Sequence, residues 1–234
     1  LPGLARSVGG VMFGALSAIR RDRIFHPDGA AFAATFEPIA GAQRQLRWSL
    51  LRHRRPLAAI VRLSRGAGLP QPLIDHLGIS VRILDAYGAG RDQDLLFGAS
   101  SRLPLARHLL LPARDFSHAW YSSVLPYRVH DRTVVLAAQP RNDAAADDDP
   151  SALARRHTRR SAEWTILAAS PLGDWQPLAT VRLEDALPAE VSQFLRFNPW
   201  NTGGGLRPAG PFNVLREGAY RGSQFARSMV AGSS

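Results

Sequence analysis

The stretch that decides the fold is residues 57–84, which read LAAIVRLSRGAGLPQPLIDHLGISVRIL. Two runs of strand length, residues 57–63 and 78–84, flank a segment rich in Gly and Pro. Because Gly and Pro favour turns over regular structure, each run is predicted to be a short strand that ends at a turn. We expect the same alternation of short strands and turns along most of the chain.

Five further runs have this character, and Gly, Pro or Asp separates them from their neighbours: residues 31–39, 94–98, 133–138, 164–169 and 177–183. Short strands at this spacing favour an antiparallel β-barrel over a doubly wound parallel sheet. Residues 5–20, with apolar side chains at helical spacing, and residues 213–229, which follow a plausible N-cap at Asn213, are predicted to be helices. The predicted fold class is therefore α+β, with an antiparallel barrel over about residues 22–185 and flanking helices, in a single domain that covers residues 1–234.

The charge of the chain is unusual in kind and in amount. All 29 basic residues are Arg, there are 19 acidic residues, and the formal net charge is +10. The Arg residues are scattered from Arg6 to Arg227, whereas a nucleic-acid-binding protein gathers its positive charge on one face or in a tail. We therefore expect no nucleic-acid partner.

Two further absences narrow the function. The chain has no Cys, which excludes disulfides, thiolate metal sites, iron–sulfur clusters and a Cys nucleophile. Its longest apolar run, residues 8–19, is too short to span a bilayer and has no signal-peptide cleavage pattern. These features predict a cytoplasmic protein without stable membrane insertion, as a monomer or small homo-oligomer.

An acidic and then basic stretch lies at residues 142–160. It contains Asp143 and Asp147–Asp149, and Arg155–Arg160 follow with four Arg residues. We expect a solvated loop whose charges neutralise one another. A metal site is the sharper alternative, but consecutive Asp side chains do not converge on one ion without a turn that folds them.

The C-terminal helix carries a polar stripe. Arg216, Tyr220 and Arg227 stand at positions i, i+4 and i+11, so a helix would project all three from one face. Two guanidinium groups beside a phenol favour its phenolate form, because opposite charges stabilise each other. A phenolate is one of the few protein ligands of haem iron, so Tyr220 is a candidate metal ligand.

The N-terminal half adds two groups of residues. Arg23, His26 and Gly29 precede the first strand, and Arg62 and Ser64, two apart in the next strand, are predicted to lie on the same side of the sheet. In that order, these groups resemble motifs of the catalase superfamily. Catalases have R-x-x-H-x-x-G before the barrel, V-R-F-S in the next strand and R-x-x-x-Y-x-x-x-x-x-x-R in the haem-ligand helix. This sequence is similar at Arg23/His26/Gly29, Val61-Arg62-Leu63-Ser64 and Arg216/Tyr220/Arg227. Catalases also have a D-x-x-G-x-x-x-K/R element followed by a D-L pair, and the similar residues here are Asp75, Gly78, Arg82 and Asp94-Leu95.

The resemblance implies a role for each matched residue. Tyr220 would be the proximal ligand of haem b iron and Arg216 would stabilise the phenolate. Arg23, Arg62 and Arg227 would pair with the haem propionates. His26 would be the distal base that moves a proton between the peroxide oxygens, and Ser64 would orient its ring. The connector and haem-ligand helix, about residues 197–230, look most like short bacterial catalase-related and allene-oxide-synthase-like proteins.

The sequence also departs from catalases. Catalases have an Asn soon after the D-L pair, where this chain has Phe97-Gly98-Ala99-Ser100, and the residue before the distal His is the bulky Phe25. A proximal His is replaced by Gln224, and the chain is about half the usual catalase length. These differences favour a peroxidase or hydroperoxide-converting enzyme, with hydrogen peroxide or an organic hydroperoxide as substrate, over rapid peroxide disproportionation.

The sequence gives weaker support to three other functions. A serine hydrolase lacks support because no G-x-S-x-G elbow is present. A metal-dependent phosphodiesterase would need several converging Asp and His residues, and the sequence offers only Asp75-His76 and the acidic stretch. The main alternative is a degenerate barrel of the same fold that has lost haem and acts as a binding or scaffold module.

Overall fold

The structure is a computed structural model that describes residues 29–66, 75–147, 149–155 and 161–209. Its strands are β1 (Gly29–Pro38), β2 (Leu57–Arg65), β3 (Leu77–Ile83), β4 (Gln93–Ser100), β5 (Trp120–Ser122), β6 (Tyr127–Val129), β7 (Arg132–Pro140), β8 (Glu163–Ala169), β9 (Gln176–Ala186) and β10 (Leu206–Pro208). Its α-helices are α1 (Ala42–Gln45), α2 (Pro150–Arg155) and α3 (Ala189–Phe194).

Eight of the strands close into an antiparallel barrel. The order around the ring is β7-β5-β4-β3-β2-β1-β9-β8, and the pairing of β7 with β8 closes it. The short strands β6 and β10 extend the sheet from β7. The predicted antiparallel barrel is thus confirmed, as are all seven predicted strands. The prediction missed β5, β6 and β10, which have only three residues each and so show no usable periodicity.

Alternating side chains fill the barrel. In β3 the residues with odd numbers, from Leu77 to Ile83, point inward and are buried, whereas Gly78, Ser80 and Arg82 point outward. Large side chains from other strands, such as Trp164 and Tyr121, complete the core. Because an eight-stranded barrel is just wide enough for side chains to fill, a large ligand has to bind outside the barrel.

The acidic stretch differs from its prediction as a loop. A 3₁₀ turn spans Asp143–Ala145 and α2 follows, with Ala145 and Leu153 buried. The turn forms because the side chain of Asn142 accepts a hydrogen bond from the Ala144 backbone N–H, 3.2 Å away. The loop prediction is therefore wrong for Asp143–Ala145 and Pro150–Arg155. The predicted neutralisation of charge is present at one pair, since Arg155 Nη2 lies 3.6 Å from a carboxylate oxygen of Asp149. The predicted helices at 5–20 and 213–229 lie outside the described residues.

Candidate functional site

The outer surface of β1–β4 carries mostly small side chains in two register rows. One row consists of Gly29, Ser64, Gly78 and Gly98. The next row on the same side consists of Ala31, Arg62, Ser80 and Leu96. We call these eight residues the small-residue face. Six of the eight are Gly, Ala or Ser, so the face is low. Ala31 is completely buried, and the partly exposed part of the face, around Arg62, Ser64 and Ser80, can accept a flat ligand.

Arg62 is the cation of this face. Its guanidinium lies over Gly29, where a Cβ atom would be 3.0 Å from Nε and 3.1 Å from Nη2. Burial lowers the pKa of Arg62, and the positive charge of Arg196 lowers it further. Two cations brought near each other beside a partly dehydrated face make a suitable place for carboxylates, which Arg binds through its fork of donors.

Sequence reasoning found Arg62 but missed Arg196. The two are 134 positions apart, and no periodicity links them. The only signal available was that Arg196 directly precedes Phe197-Asn198-Pro199-Trp200, a stretch that carries part of the family resemblance.

Ser64 lies in the same register row as Gly29, the first residue of β1. It is opposite Gly29 on one side and Gly78 on the other, and its hydroxyl leans over Gly78, 3.0 Å from where a Cβ atom would be. His26 itself is outside the described residues.

The other candidate residues, Arg23, Arg216, Tyr220 and Arg227, also lie outside the described residues. The structure does describe the segment that leads to three of them. Residues 196–203, which we call the connector, cross the barrel surface at the Arg82 and Asp94 end of β3 and β4.

An ion pair on the outer side of the barrel holds the connector. Arg82 Nε and Nη2 each donate to a different carboxylate oxygen of Asp94, both at 2.7 Å. The same carboxylate accepts from the Asn198 backbone N–H at 2.8 Å, and Arg82 Nη2 also donates to the Arg196 carbonyl at 2.5 Å. Asp94 is completely buried, and its hydrogen bonds raise the pKa of Arg82. The pair fixes where the connector lies relative to the small-residue face.

A second polar cluster anchors the far end of the connector. The Gln93 side chain accepts hydrogen bonds from the Tyr87 hydroxyl at 2.9 Å and from the Gly203 N–H at 3.1 Å. Trp48 Nε1 donates to the same hydroxyl at 2.7 Å, and burial raises the pKa of Tyr87. Sequence reasoning did not identify this cluster, because Gln93 and Trp48 are far apart in the chain and belong to no recognised motif.

The other end of the face is apolar. Leu110 covers Gly98 so closely that a Cβ atom there would be 2.4 Å from Leu110 Cδ2. The segment that carries Leu110 is held in place by the Leu111 N–H, which donates to the Ala99 carbonyl at 2.8 Å. This end of the face is therefore covered by a hydrocarbon side chain.

Within the part of the chain that the structure describes, no group of three or more His, Cys, Asp or Glu side chains is placed to hold a metal ion. The same residues contain no helix that is both long enough and apolar enough to cross a membrane.

Comparison with known proteins supports the architecture. No family model and no curated protein matches the chain. Among solved structures, the chain is similar to a bacterial catalase, with a TM-score of 0.56 and 12% sequence identity. The match covers 83% of this chain and 56% of the catalase chain, so this chain corresponds to about half of that protein. At this identity the likeness shows the fold alone: the barrel is catalase-like.

Proposed function

We propose that the protein is a haem-dependent oxidoreductase that acts on hydrogen peroxide or organic hydroperoxides. The observation that carries this proposal is the small-residue face with Arg62, on a barrel of catalase-like fold. Haem is a flat macrocycle with two carboxylates, so it needs a flat surface and cations beside it. The face fits both needs. Gly29 and Gly78 let the Arg62 and Ser64 side chains lie close to the strands, because a Cβ atom at either glycine would press on them, so the face stays low and carries a cation.

The residues that would hold haem come from both halves of the chain. Arg62 would bind a propionate, together with Arg23 and Arg227, and Arg196 adds positive charge beside Arg62. Tyr220 would be the iron ligand, and Arg216 would stabilise its phenolate. The connector supports this arrangement, because the ion pair of Arg82 and Asp94 holds it on the outer side of the barrel shortly before the segment with Tyr220.

When bound, haem supplies the iron at which the O–O bond of a peroxide breaks. His26 would take the proton from one peroxide oxygen and deliver it to the other as that oxygen leaves, so the imidazole ends the step unchanged. Ser64 would orient the ring through a hydrogen bond. Residues 97–100 contain no Asn, and Leu110 covers Gly98 with an apolar side chain. A peroxidase or hydroperoxide-converting enzyme, of the catalase-related or allene-oxide-synthase-like kind, is therefore favoured over a fast catalase.

Haem reconstitution tests this function. Purified protein is mixed with haemin, and its absorbance spectrum and peroxide turnover are measured for wild type, Tyr220→Phe and His26→Ala. We expect a ferric-phenolate Soret band in wild type that is lost in Tyr220→Phe. Tyr121→Phe is the control and should keep the band, because the Tyr121 hydroxyl is buried against the Phe116 carbonyl.

His26→Ala is expected to keep the band but to lose turnover by about 100-fold or more, the scale of a general acid–base contribution. Full turnover in that variant would contradict the role of His26. A wild-type protein with no haem spectrum would contradict the proposed function and favour the haem-free binding or scaffold module.

A further inference from the structure

We propose that two adjacent loops at one end of the barrel form a surface that binds anionic lipid bilayers. The first loop, residues 101–111, joins β4 to the segment before β5, and the second, residues 170–174, joins β8 to β9. Both carry solvent-exposed leucines: Leu105 is 74% exposed, Leu172 69% and Leu103 58%, and Leu109 and Leu111 are also exposed. We call this surface the leucine tip.

A buried Arg holds the two loops together. Arg107 is 1% exposed, and its Nη1 donates to the carbonyls of Ser170 and Gly173, both at 3.1 Å. Its Nη2 donates to the Arg102 carbonyl at 3.2 Å. One guanidinium therefore connects the first loop to both sides of Leu172. The leucines of two loops that are distant in sequence belong to one surface for this reason.

The base of the tip is rigid. The Arg107 guanidinium stacks on Trp175, 4.3 Å from the ring centroid, and Trp175 Nε1 donates to the Arg102 carbonyl at 2.8 Å. Ser100 Oγ donates to the Leu109 carbonyl at 2.7 Å. Leu105 has φ +65°, a strained backbone conformation for a leucine, which persists only where the surroundings impose it. The loops thus hold apolar side chains outward in a fixed shape.

The charge around the tip points to an anionic partner. Arg102 on the first loop and Arg114, three residues after it, are both exposed. Asp115 follows Arg114, but its carboxylate is paired with His118, and the chain as a whole has a net charge of +10. Asp174 is the only acidic residue on the second loop. Apolar side chains at loop tips with Arg beside them are the composition of elements that lie in a bilayer interface and are attracted by anionic headgroups.

A second copy of the chain is a poorer occupant. A stable protein interface takes roughly 20–30 residues on each side, more than the two loops contain together. Because no described helix can cross a membrane, we expect reversible binding at the surface of the bilayer. This inference does not depend on haem.

Vesicle co-sedimentation tests the inference with the full chain. The probes are phosphatidylcholine vesicles with and without phosphatidylglycerol, and the variants are Leu103→Ser/Leu172→Ser and Arg102→Gln/Arg114→Gln. Phe194→Ser is the matched control, since Phe194 is 80% exposed. Phe194 lies two residues before Arg196, and the Arg196 carbonyl contacts Arg82. Arg82 is paired with Asp94 at the start of β4, whereas the leucine tip follows the end of β4.

We expect wild type to bind the anionic vesicles and to dissociate in 1 M salt, where the screening length falls to about 3 Å. The double Leu variant should need at least about tenfold more lipid for half-maximal binding, since burying one leucine is worth more than a factor of ten. The double Arg variant should lose about fivefold per Arg. The Phe194→Ser protein should bind like wild type.

Three results would overturn the proposal. One is no binding of wild type to anionic vesicles. Another is equal binding by wild type and the double Leu variant when both show the same circular dichroism and melting temperature. The third is self-association without vesicle binding: sedimentation velocity shows that wild type associates as its concentration rises and that the double Leu variant does not. This result would assign the leucine tip to contact between copies of the chain.

Discussion

Replacing Asp94 by Asn should release the connector and destabilise the protein. The carboxylate accepts hydrogen bonds from Arg82 Nε, Arg82 Nη2 and the Asn198 N–H, all within 2.8 Å. Asn has almost the same shape, but one of its two terminal atoms is a donor. That NH₂ group would face Arg82 Nη2 and the Asn198 N–H, or Arg82 Nε if the amide turned over. At least one charged hydrogen bond must therefore be lost.

The size of the effect follows from burial. The side chain of Asp94 is completely buried and that of Arg82 is 20% exposed. A hydrogen bond to a charged group contributes about 1.5–3 kcal/mol, and breaking a fully buried ion pair costs about 3–5 kcal/mol. Because water still reaches Arg82 in part, we expect the lower end of that range. Asp94→Asn should lower the free energy of unfolding by about 3 kcal/mol.

Urea denaturation measures this change, and hydrogen exchange at the Asn198 amide reports whether the connector detaches locally. Asp92→Asn is the control. Its carboxylate is 4.0 Å from Arg82 Nε and partly exposed, so we expect a loss of at most about 1 kcal/mol. In a double-mutant cycle of Arg82→Leu and Asp94→Leu, the coupling free energy should be about 2 kcal/mol. Equal losses for the two Asn variants, or additive effects in the cycle, would refute the reasoning.

Two further predictions concern other parts of the chain. Gly204 has φ +61°, and a Cβ atom there would be 2.2 Å from Ser49 Oγ and 2.4 Å from Tyr87 Cε1. Gly204→Ala should therefore lower the free energy of unfolding by about 3 kcal/mol, from backbone strain and overpacking, when measured with urea. Gly88→Ala, at φ +108° with open space around it, should show the strain alone, and an equal loss there would contradict the packing argument. Hydrogen bonding and the charge of Asp115 raise the pKa of the exposed His118, so its stabilising contact is complete below about pH 6.5 and is lost as pH rises through the raised pKa. An NMR titration should show this pKa falling in Asp115→Asn; an unchanged value would argue against the contact.

The strands were predictable because their pattern is local. The long strands have an inward face of apolar residues, as in β3, and most have Gly, Pro or Asp close to their ends, so seven runs could be located without any partner. Arg62 and Ser64 could be placed on the same side of the sheet for the same reason, since residues two apart in a strand share a face.

The small-residue face could not be predicted in the same way. It arises from the register of four strands, which places Gly29, Ser64, Gly78 and Gly98 in one row. Each of these is an ordinary residue in its own segment. Arg196 and Gln93 were missed because their roles depend on where the connector crosses the barrel. The functional roles of His26, Arg216, Tyr220 and Arg227 stay predictions.

The most direct test of the central claim is the affinity of haem for a protein whose small-residue face is blocked. Ser80 lies next to Arg62 in the register and is partly exposed on that face. Ser80→Trp would place an indole where the flat ligand is proposed to lie. Thr165→Trp is the matched control, because Thr165 is also partly exposed but belongs to β8, on the opposite side of the eight-stranded ring from β3.

Haem titration followed by absorbance gives the dissociation constant of each protein. We predict that Ser80→Trp raises the dissociation constant by at least about tenfold, a loss of about 1.4 kcal/mol of binding free energy, while Thr165→Trp binds like wild type. Melting temperatures should be similar for all three proteins, because neither substitution reaches the barrel core. Haem binding by Ser80→Trp as tight as that of wild type would contradict the claim that haem lies on this face.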